Sequence, residues 1–309
     1  DNDAPTGFGT RAIRAATRSP KVEQEPDAVP IYQAVTFSAS DSAELGDILA
    51  DRKPGYAYSR VDNPTAVAMA AAVAEIEGAQ AGFAFATGMA AVHAALIATL
   101  SAGDHLVATR AVYGSTYNLI ARVLGRLGIE ATFVDVTDLD AVAAAFRPNT
   151  RALYVETISN PTIVVADVAA LAELARSRGA TTIVDNTFAS PYVCRPIELG
   201  ADLVVESATK WLGGHSDVHA GAVVGDAERI ARVRQVQVDT GGTCAPLSAF
   251  LVLRGHHGKE ALTRDDAALG DEQFYLLRRV DVAVARMVVA EQAQHDVTAA
   301  VEQPDEGPE

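Results

Sequence analysis

With 309 residues, of which 49% are hydrophobic and 21% charged, the chain has the composition of a folded globular protein and not of a disordered one. Its net charge of −15 would repel a phosphate backbone, which argues against nucleic acid as a partner. The apolar runs stop well short of a bilayer span and the first residues lack an apolar signal-peptide core, so we expect a soluble, cytoplasmic protein with no membrane partner. Cys194 and Cys244 form no metal-type pair and indicate no disulfide framework.

Prolines and glycines interrupt the first sixty residues and predict an irregular arm. From about Val61 the pattern changes, because the run "AVAMAAAVAEIEG" has helical spacing and ends on Gly78, the expected C-terminal cap. Asn63 and Pro64, in "VDNPT", predict the cap and the first turn of that helix.

Short apolar runs then alternate with amphipathic helical segments. The predicted strands are "GFAFAT", "HLVAT", "RALYVET", "TTIVDNT" and "DLVVESAT". Apolar runs without strict alternation are typical of strands covered on both faces, so the pattern predicts an α/β fold with a mainly parallel sheet. After about Gly255 the alternation stops. A helix is predicted around residues 274–292, followed by an acidic tail that we expect to be solvated.

Polar residues close the apolar runs at the place where a parallel sheet binds ligands, beyond the carboxyl ends of its strands. The clusters are Thr87-Gly88, Glu156, Asp185 and Ser207 to Lys210. Each cluster alone has a simple alternative explanation, since chains commonly turn polar at strand ends. The four clusters together favour a ligand site.

Lys210, in "SATKWLGG", suggests the chemistry of that site. A lysine amine at the mouth of a buried strand is suited to forming a Schiff base with a carbonyl group. The carbonyl cofactor that proteins bind in this way is pyridoxal phosphate (PLP), which needs a partner for its pyridinium nitrogen, a cradle for its phosphate and a support for its ring.

Two residues are candidates for holding the ring. Asp185 is suited to keeping the ring nitrogen protonated, and a role as helix cap is the alternative. Tyr113 is suited to stacking on the ring, and a place in the core is the alternative.

Four further residues are candidates for the phosphate cradle. Gly88 and Met89 stand at a predicted helix start, where free N–H groups and the helix dipole attract phosphate. Ser207 and Thr209 flank the lysine and offer hydroxyl groups to the same anion. His215 and His219 have the spacing of metal ligands, but no third ligand is evident, which favours packing or loop roles for both.

The motifs, taken in order, resemble the Cys/Met metabolism PLP-dependent enzymes, the trans-sulfuration family. They are "PIYQAVTF", "GYAYSRVDNPT", "FATGMAA", "YGSTYNL", "VETISNPT", "VDNTFASP", "SATKWLGGHSD" and "QVDTGGTCAPLSAFLVLRG". The resemblance covers roughly residues 7–255 and implies a PLP-dependent aminotransferase-like fold, known as fold type I. It also implies γ-elimination or γ-replacement on sulfur amino acids or O-acylhomoserine, as in sulfhydrylases, methionine γ-lyases and cystathionine γ-synthases.

The resemblance implies catalytic roles for three residues. Lys210 is implied to form the Schiff base and to act as general base, Asp185 to pair with the pyridinium nitrogen, and Tyr113 to stack on the ring and assist the leaving group. The other cofactor contacts it implies within one chain are those of Gly88, Met89, Asn160, Ser207 and Thr209.

The resemblance also gives the arm a role. Tyr58 and Arg60 are implied to bind the cofactor phosphate of a neighbouring subunit, so the expected assembly is a homo-oligomer with shared sites, a dimer at least or a tetramer. The expected organisation is an arm over residues 1–62, a PLP-binding α/β domain over 63–255, and an atypical or shortened C-terminal region over 256–309.

Two departures from the family pattern bear on activity. Ser115 stands where methionine γ-lyases of the family commonly have cysteine, and "YGSTYNL" favours the sulfhydrylase type. The late arginine that clamps the substrate carboxylate cannot be aligned after Gly255, with Arg278 or Arg279 as substitutes. The leading interpretation is therefore an active trans-sulfuration enzyme. The alternatives are a PLP-binding paralogue without turnover, a cystathionine γ-synthase or lyase, and an aminotransferase on the same fold.

Overall fold

The computed structural model describes the backbone of residues 26–265 and the side chains of residues 26–255. The chain divides into two compact units, residues 1–30 and residues 31–309. The described part of the first unit, residues 26–30, contains no helix or strand. Every element below belongs to the second unit. The predicted helix at 274–292, the acidic tail, Arg278 and Arg279 lie outside the described residues.

A seven-stranded sheet forms the centre of the second unit. Its strands are β1 (Ala81–Phe85), β2 (His105–Thr109), β3 (Glu130–Val134), β4 (Thr150–Glu156), β5 (Thr181–Asp185), β6 (Leu203–Glu206) and β7 (Gly221–Gly225). The strand order is β1-β7-β6-β5-β4-β2-β3. The strands from β6 to β3 run parallel, whereas β7 runs antiparallel to both of its neighbours, β1 and β6. The predicted α/β fold with a mainly parallel sheet is confirmed.

The helices connect these strands and cover both faces of the sheet. They are α1 (Ser42–Leu49), α2 (Pro64–Glu77), α3 (Gly88–Thr99), α4 (Gly114–Asn118), α5 (Leu139–Ala145), α6 (Val168–Ser177), α7 (Ser190–Val193), α8 (Ala227–Thr240) and α9 (Pro246–Asp265). A π-helical turn, Leu119–Leu124, continues α4. Within residues 26–265 no helix combines the length and the apolar character needed to span a bilayer.

Local capping explains where α2 begins and ends. The side chain of Asn63 accepts a hydrogen bond from the Thr65 N–H at 3.0 Å, and Pro64 occupies the first turn, where no N–H is needed. The helix stops at Gly78, which adopts a left-handed φ of 72° that favours glycine. Both ends agree with the sequence-based prediction.

The main core lies between the sheet and the helices that pack on one of its faces. Leu106, Tyr154, Ile183 and Val205 come from adjacent strands and are fully buried together with the apolar side of α3. Burying such side chains contributes about 1.5–3 kcal/mol each. Four of the five apolar runs predicted as strands thus form the adjacent inner strands β2, β4, β5 and β6, and the fifth forms the edge strand β1.

Two predictions about the elements need correction. The arm is not wholly irregular, because Ser42–Leu49 form α1; Asp41 caps this helix by accepting a hydrogen bond from the Glu44 N–H at 2.8 Å. The sequence patterns also did not identify β3 and β7. β3 begins with Glu130 and Ala131, and β7 is bounded by glycine at both ends; these residue types are depleted in strands and weaken the strand signal.

The buried side chain of His105 links three strands of the sheet through hydrogen bonds. Its side chain is fully buried, Nδ1 lies 2.8 Å from Thr150 Oγ1, and Nε2 lies 2.9 Å from Thr132 Oγ1. These contacts link β2 to β4 and to β3. Burial lowers the pKa of His105, so the folded state holds the ring neutral.

The replacement H105Q tests this link. Because the pKa of His105 is lower in the folded than in the unfolded state, its contribution to stability is present above the ordinary histidine pKa of about 6.5 and is lost as the pH falls. We expect H105Q to lower the free energy of unfolding by about 1–3 kcal/mol at pH 7.5 and to flatten its decline between about pH 6.5 and 5. Denaturant unfolding at several pH values measures both effects.

The exposed His215 provides the matched control, since H215Q should keep the pH dependence of the unmodified chain. An H105Q profile parallel to that of the unmodified chain would contradict the assignment of a neutral, buried imidazole.

Candidate functional site

A cavity of about 220 Å³ opens at the carboxyl ends of β4, β5 and β6. The three predicted catalytic residues, Lys210, Tyr113 and Asp185, all line it. So do five of the predicted cofactor contacts: Gly88, Met89, Asn160, Ser207 and Thr209. The fold therefore brings together eight residues from five separate segments of the sequence.

Asp185 is the last residue of β5 and faces this cavity. Its Oδ2 accepts a hydrogen bond from the Tyr154 hydroxyl at 3.1 Å, and its Oδ1 accepts one from the Thr187 N–H at 3.0 Å. Burial raises the pKa of Asp185, against the lowering effect of the hydrogen bonds from Thr187 and Tyr154. A cationic group inside the cavity would favour the ionised carboxylate.

The N-terminus of α3 forms a second wall. The Thr87 side chain caps this helix by accepting a hydrogen bond from the Ala90 N–H at 3.1 Å, which leaves the N–H groups of Gly88 and Met89 at the open end of the first turn. A Cβ atom on Gly88 would lie 2.6 Å from the Cβ of Ser207 and 2.7 Å from its Oγ. Glycine is therefore required where the helix start meets Ser207, and the resulting concave surface presents N–H and hydroxyl donors suited to an anion.

Glu156, at the end of β4, fixes two more lining residues. Its Oε1 accepts a hydrogen bond from the Tyr113 N–H at 2.8 Å, and its Oε2 accepts one from the Asn160 N–H at 3.1 Å. The carboxylate is buried and uses both oxygens on backbone donors. It thereby ties the start of α4 and the loop after β4 to the end of β4.

Lys210 lies in the loop that leads from β6 to β7. Its N–H donates to the Ser207 carbonyl at 3.0 Å, and its carbonyl accepts from the Gly214 N–H at 2.9 Å. Thr209 donates its N–H to the Ala220 carbonyl at 3.2 Å, and its Oγ1 accepts from the Ala220 N–H at the same distance. The lysine therefore stands on a backbone held at several points.

The cavity also contains residues that the motifs did not single out. Thr187 connects two predicted residues, because its N–H donates to Asp185 and its Oγ1 accepts from the Ser207 N–H at 2.8 Å. Its position two residues after Asp185 is that of an Asx turn, in which the aspartate side chain accepts the N–H two residues on, and this spacing was an available signal.

His219 also lines the cavity, although the sequence favoured a packing or loop role for it. It lies in the loop, and the Thr209–Ala220 hydrogen bonds bring it next to Lys210. No group of three potential metal ligands occurs among the residues that the structure describes.

Tyr58 and Arg60 lie outside this cavity. The guanidinium of Arg60 lies 5.4 Å from the centre of the Tyr58 ring and donates a hydrogen bond to the Val238 carbonyl. Arg60 lines a separate cavity between α2 and α8. The two predicted phosphate ligands of the arm are thus absent from the site of their own chain.

Comparison with known proteins identifies the family to which this chain is similar. The sequence profile of the Cys/Met metabolism PLP-dependent enzymes matches residues 9–258. The chain is 45% identical to a cystathionine γ-lyase of Bacillus subtilis over 74% of this chain and 58% of that one. It is 40% identical to an L-methionine γ-lyase of Porphyromonas gingivalis over 81% of this chain and 63% of that one.

A solved structure of similar fold supports the same assignment. It is a putative O-acetylhomoserine (thiol)-lyase of Campylobacter jejuni, crystallised with N'-pyridoxyl-lysine-5'-monophosphate. The TM-score is 0.72 and the identity 29%, over 74% of this chain and 65% of that chain. These matches confirm the resemblance drawn from the motifs and the expected fold. The chain belongs to the Cys/Met metabolism PLP-dependent enzyme family.

Proposed function

We propose that the protein uses PLP to catalyse elimination or replacement at the γ-carbon of sulfur amino acids or O-acylhomoserine. The observation that carries this proposal is the meeting of Lys210, Asp185 and Tyr113 with the N-terminus of α3 in one cavity. The names of the relatives, cystathionine γ-lyase and L-methionine γ-lyase, support the substrate class. Because the chain spans 58% and 63% of those relatives, the activity of the whole protein is part of the proposal.

The lining residues fit the cofactor of this family. The ring nitrogen of PLP needs a carboxylate, and Asp185 is a desolvated carboxylate that faces the cavity. The phosphate needs several donors, and the cradle of Gly88, Met89 and Ser207 would be filled by a single added Cβ. The aldehyde needs an amine, and Lys210 lines the same cavity. When bound, PLP supplies an electron sink for the electron pair left at the substrate Cα.

The residues of the chain then have separate tasks. The Lys210 amine would hold the cofactor, and its Nζ is placed to take the proton from the substrate Cα and to move protons at Cβ. Asp185 would stay negative and hold the ring nitrogen of the cofactor. The Tyr113 hydroxyl gives a proton to the departing γ-substituent. Glu156 keeps Tyr113 and Asn160 in place through its two backbone hydrogen bonds.

The arm completes the proposal. We infer that residues 1–62 reach a neighbouring subunit, that Tyr58 and Arg60 bind the phosphate in its site, and that residues 63–255 form the cofactor domain. The location of Arg60 outside its own cavity supports an action between subunits. The proposed assembly is therefore a dimer at least.

Borohydride reduction of PLP-saturated protein tests the role of Lys210. We expect the cofactor to become fixed to the peptide that contains Lys210, as read by peptide mapping. K210A should lose this labelling. K53A, in which an exposed lysine that pairs with Glu44 is removed, should keep it. Labelling at any other residue would contradict the assignment.

Turnover is measured on the same preparation. We expect release of a 2-oxo acid from L-methionine or O-acetylhomoserine, or sulfide incorporation with O-acetylhomoserine, and complete loss of either activity in K210A. A yellow, labelled protein without turnover on any of these substrates would contradict the proposed activity while leaving the cofactor assignment intact.

The replacement G88A tests the anion cradle. The added Cβ would displace Ser207 and obstruct the phosphate position, so we expect the affinity for PLP to fall at least about tenfold, which corresponds to about 1.4 kcal/mol. Absorbance titration with PLP measures it. G125A is the matched control, because a Cβ there meets nothing within 4 Å. Equal PLP affinity of G88A and the unmodified chain would refute this position for the phosphate.

Mixed oligomers test the arm. R60A and K210A should each be inactive alone. In a dimer that contains one chain of each, the R60A chain keeps its lysine and receives Arg60 from the other chain. Random pairing of equal amounts should therefore restore about a quarter of the original activity. Absence of any recovery in verified hybrids would show that Arg60 does not act across subunits.

A further inference from the structure

Two glutamate side chains meet in the interior behind the cavity. Glu77 is the last residue of α2, Glu206 is the last residue of β6, and their exposed fractions are 0% and 1%. The two carboxyl groups lie close enough to interact electrostatically, and each influences the protonation of the other. Glu77 Oε1 also accepts a hydrogen bond from Asn186 Nδ2 at 2.9 Å. The mechanism above uses neither glutamate.

The pair lies on the opposite face of the sheet from the cavity. In the register of β5 and β6, Asp185 is paired with Val205, so the next residues on each strand, Asn186 and Glu206, turn to the other face. The contact with Glu77 shows that this face is the one covered by α2. The two glutamates and Asn186 thus join α2 to the ends of two adjacent strands.

The residues on the cavity side of these strand ends are directly bonded to one another. Asp185 accepts from the Thr187 N–H at 3.0 Å, and Thr187 Oγ1 accepts from the Ser207 N–H at 2.8 Å. Asn186 lies between Asp185 and Thr187, and Glu206 immediately precedes Ser207. A movement of the pair therefore moves the backbone that carries Asp185 and Ser207.

Electrostatic repulsion determines the protonation state of Glu77 and Glu206. Two ionised carboxylates that lie close together in the interior repel each other strongly, so at least one of them must carry a proton. Burial raises the pKa of both groups, and that of Glu206 lies well above its ordinary value. One oxygen of each carboxyl, Glu77 Oε2 and Glu206 Oε1, makes no hydrogen bond within the described part of the chain.

Among the residues that the structure describes, the charged groups acting on the pair do not add up to a compensating cation. Asp185, from β5, adds negative charge near Glu206. Arg195 and Glu198, from the segment after α7, act on Glu77 with opposite signs and pair with each other at 2.9 Å near the surface. The Cys194 thiol in the same segment also lies close to Glu77. A proton is thus the simplest source of charge balance.

We propose that Glu77 and Glu206 are positioning residues that share one proton, and that this proton holds the ends of β5 and β6 in the arrangement that directs Asp185 and Ser207 into the cavity. The link to the cofactor rests on the proposed function. The shared proton itself rests on the geometry and burial of the two carboxyls.

The direction of the pH effect follows from linkage. A carboxyl with a raised pKa in the folded state contributes stability that is fully present below its ordinary value of 4.5 and is lost as the pH rises through the folded value. Loss of the shared proton at alkaline pH leaves two buried negative charges in contact. The strand ends then separate, and the affinity for PLP falls with the stability.

The replacement E206Q removes the need for the proton, because the amide donates an N–H to an ionised Glu77. In the cofactor-free full-length chain, we expect the denaturant concentration at the unfolding midpoint to decrease as the pH rises from 6 to 10. The decrease should be smaller for E206Q than for the unmodified protein. E75Q is the matched control, since Glu75 lies on the same helix but is exposed, and it should keep the original slope. If E206Q does not fold, E77Q removes the same proton from the helix side.

The affinity for PLP, measured by absorbance titration over the same pH range, is the second readout. For the unmodified protein we expect a loss at alkaline pH of up to about tenfold per pH unit, as for one linked proton. E206Q should retain its affinity to higher pH. This behaviour separates positioning from a merely structural contact, which would lower affinity equally at every pH.

Two results would overturn the inference. One is an identical pH slope of the midpoint in the unmodified protein and in both glutamine variants. The other is a midpoint that depends on whether Na⁺, K⁺ or tetramethylammonium is present at equal ionic strength, because a bound cation would then balance the pair. Failure to bind PLP at any pH would refute the proposed function instead. The pH dependence of the unfolding midpoint in the cofactor-free protein would still test whether the two glutamates share a proton.

Discussion

Three adjacent parallel strands end in an acidic side chain, and the stability of the site depends on how each negative charge is balanced. Glu156 at the end of β4 is balanced by backbone N–H groups of Tyr113 and Asn160. Asp185 at the end of β5 has two hydrogen bonds and faces the cavity, where a bound cationic group would balance it. Glu206 at the end of β6 faces away and meets a second carboxyl. A buried carboxylate without any of these partners would cost several kcal/mol.

The directions of these three carboxyl groups give the two faces of the sheet different roles at this edge. The cavity side carries the residues of the proposed site, and its geometry is set by two hydrogen bonds, one from the Thr187 N–H to Asp185 and one from the Ser207 N–H to Thr187 Oγ1. The opposite side carries no reacting group but joins α2 to the same strand ends through Glu77 and Asn186. Because side chains alternate along a strand, a residue behind the sheet stays covalently next to a residue in front of it. The two faces are therefore coupled through the covalent backbone and not through side-chain contacts.

The sequence predicted what depends on local patterns. Five strands and the ends of α2 followed from apolar runs and capping residues, and Lys210 and Asp185 followed from their place at strand ends. The sequence did not reveal Glu206 as one of a pair, since its partner Glu77 becomes a neighbour only through the packing of α2 on the sheet. His219 was similarly assigned to a loop without its contact with the cavity, because the two hydrogen bonds between Thr209 and Ala220 are tertiary. Helix α1 was not predicted, because the prolines and glycines of the arm indicated irregular structure and obscured the N-cap at Asp41.

The antiparallel placement of β7 has a consequence for how the chain reaches its native state. The loop with Lys210 is closed by β6 and β7, which are neighbours both in sequence and in the sheet. Contacts between segments close in sequence form with a small loss of chain entropy, whereas Tyr113, in the segment after β2, reaches the cavity across a much longer connection. The entropy cost of placing Lys210 is therefore smaller than that of bringing the aromatic ring of Tyr113 beside it.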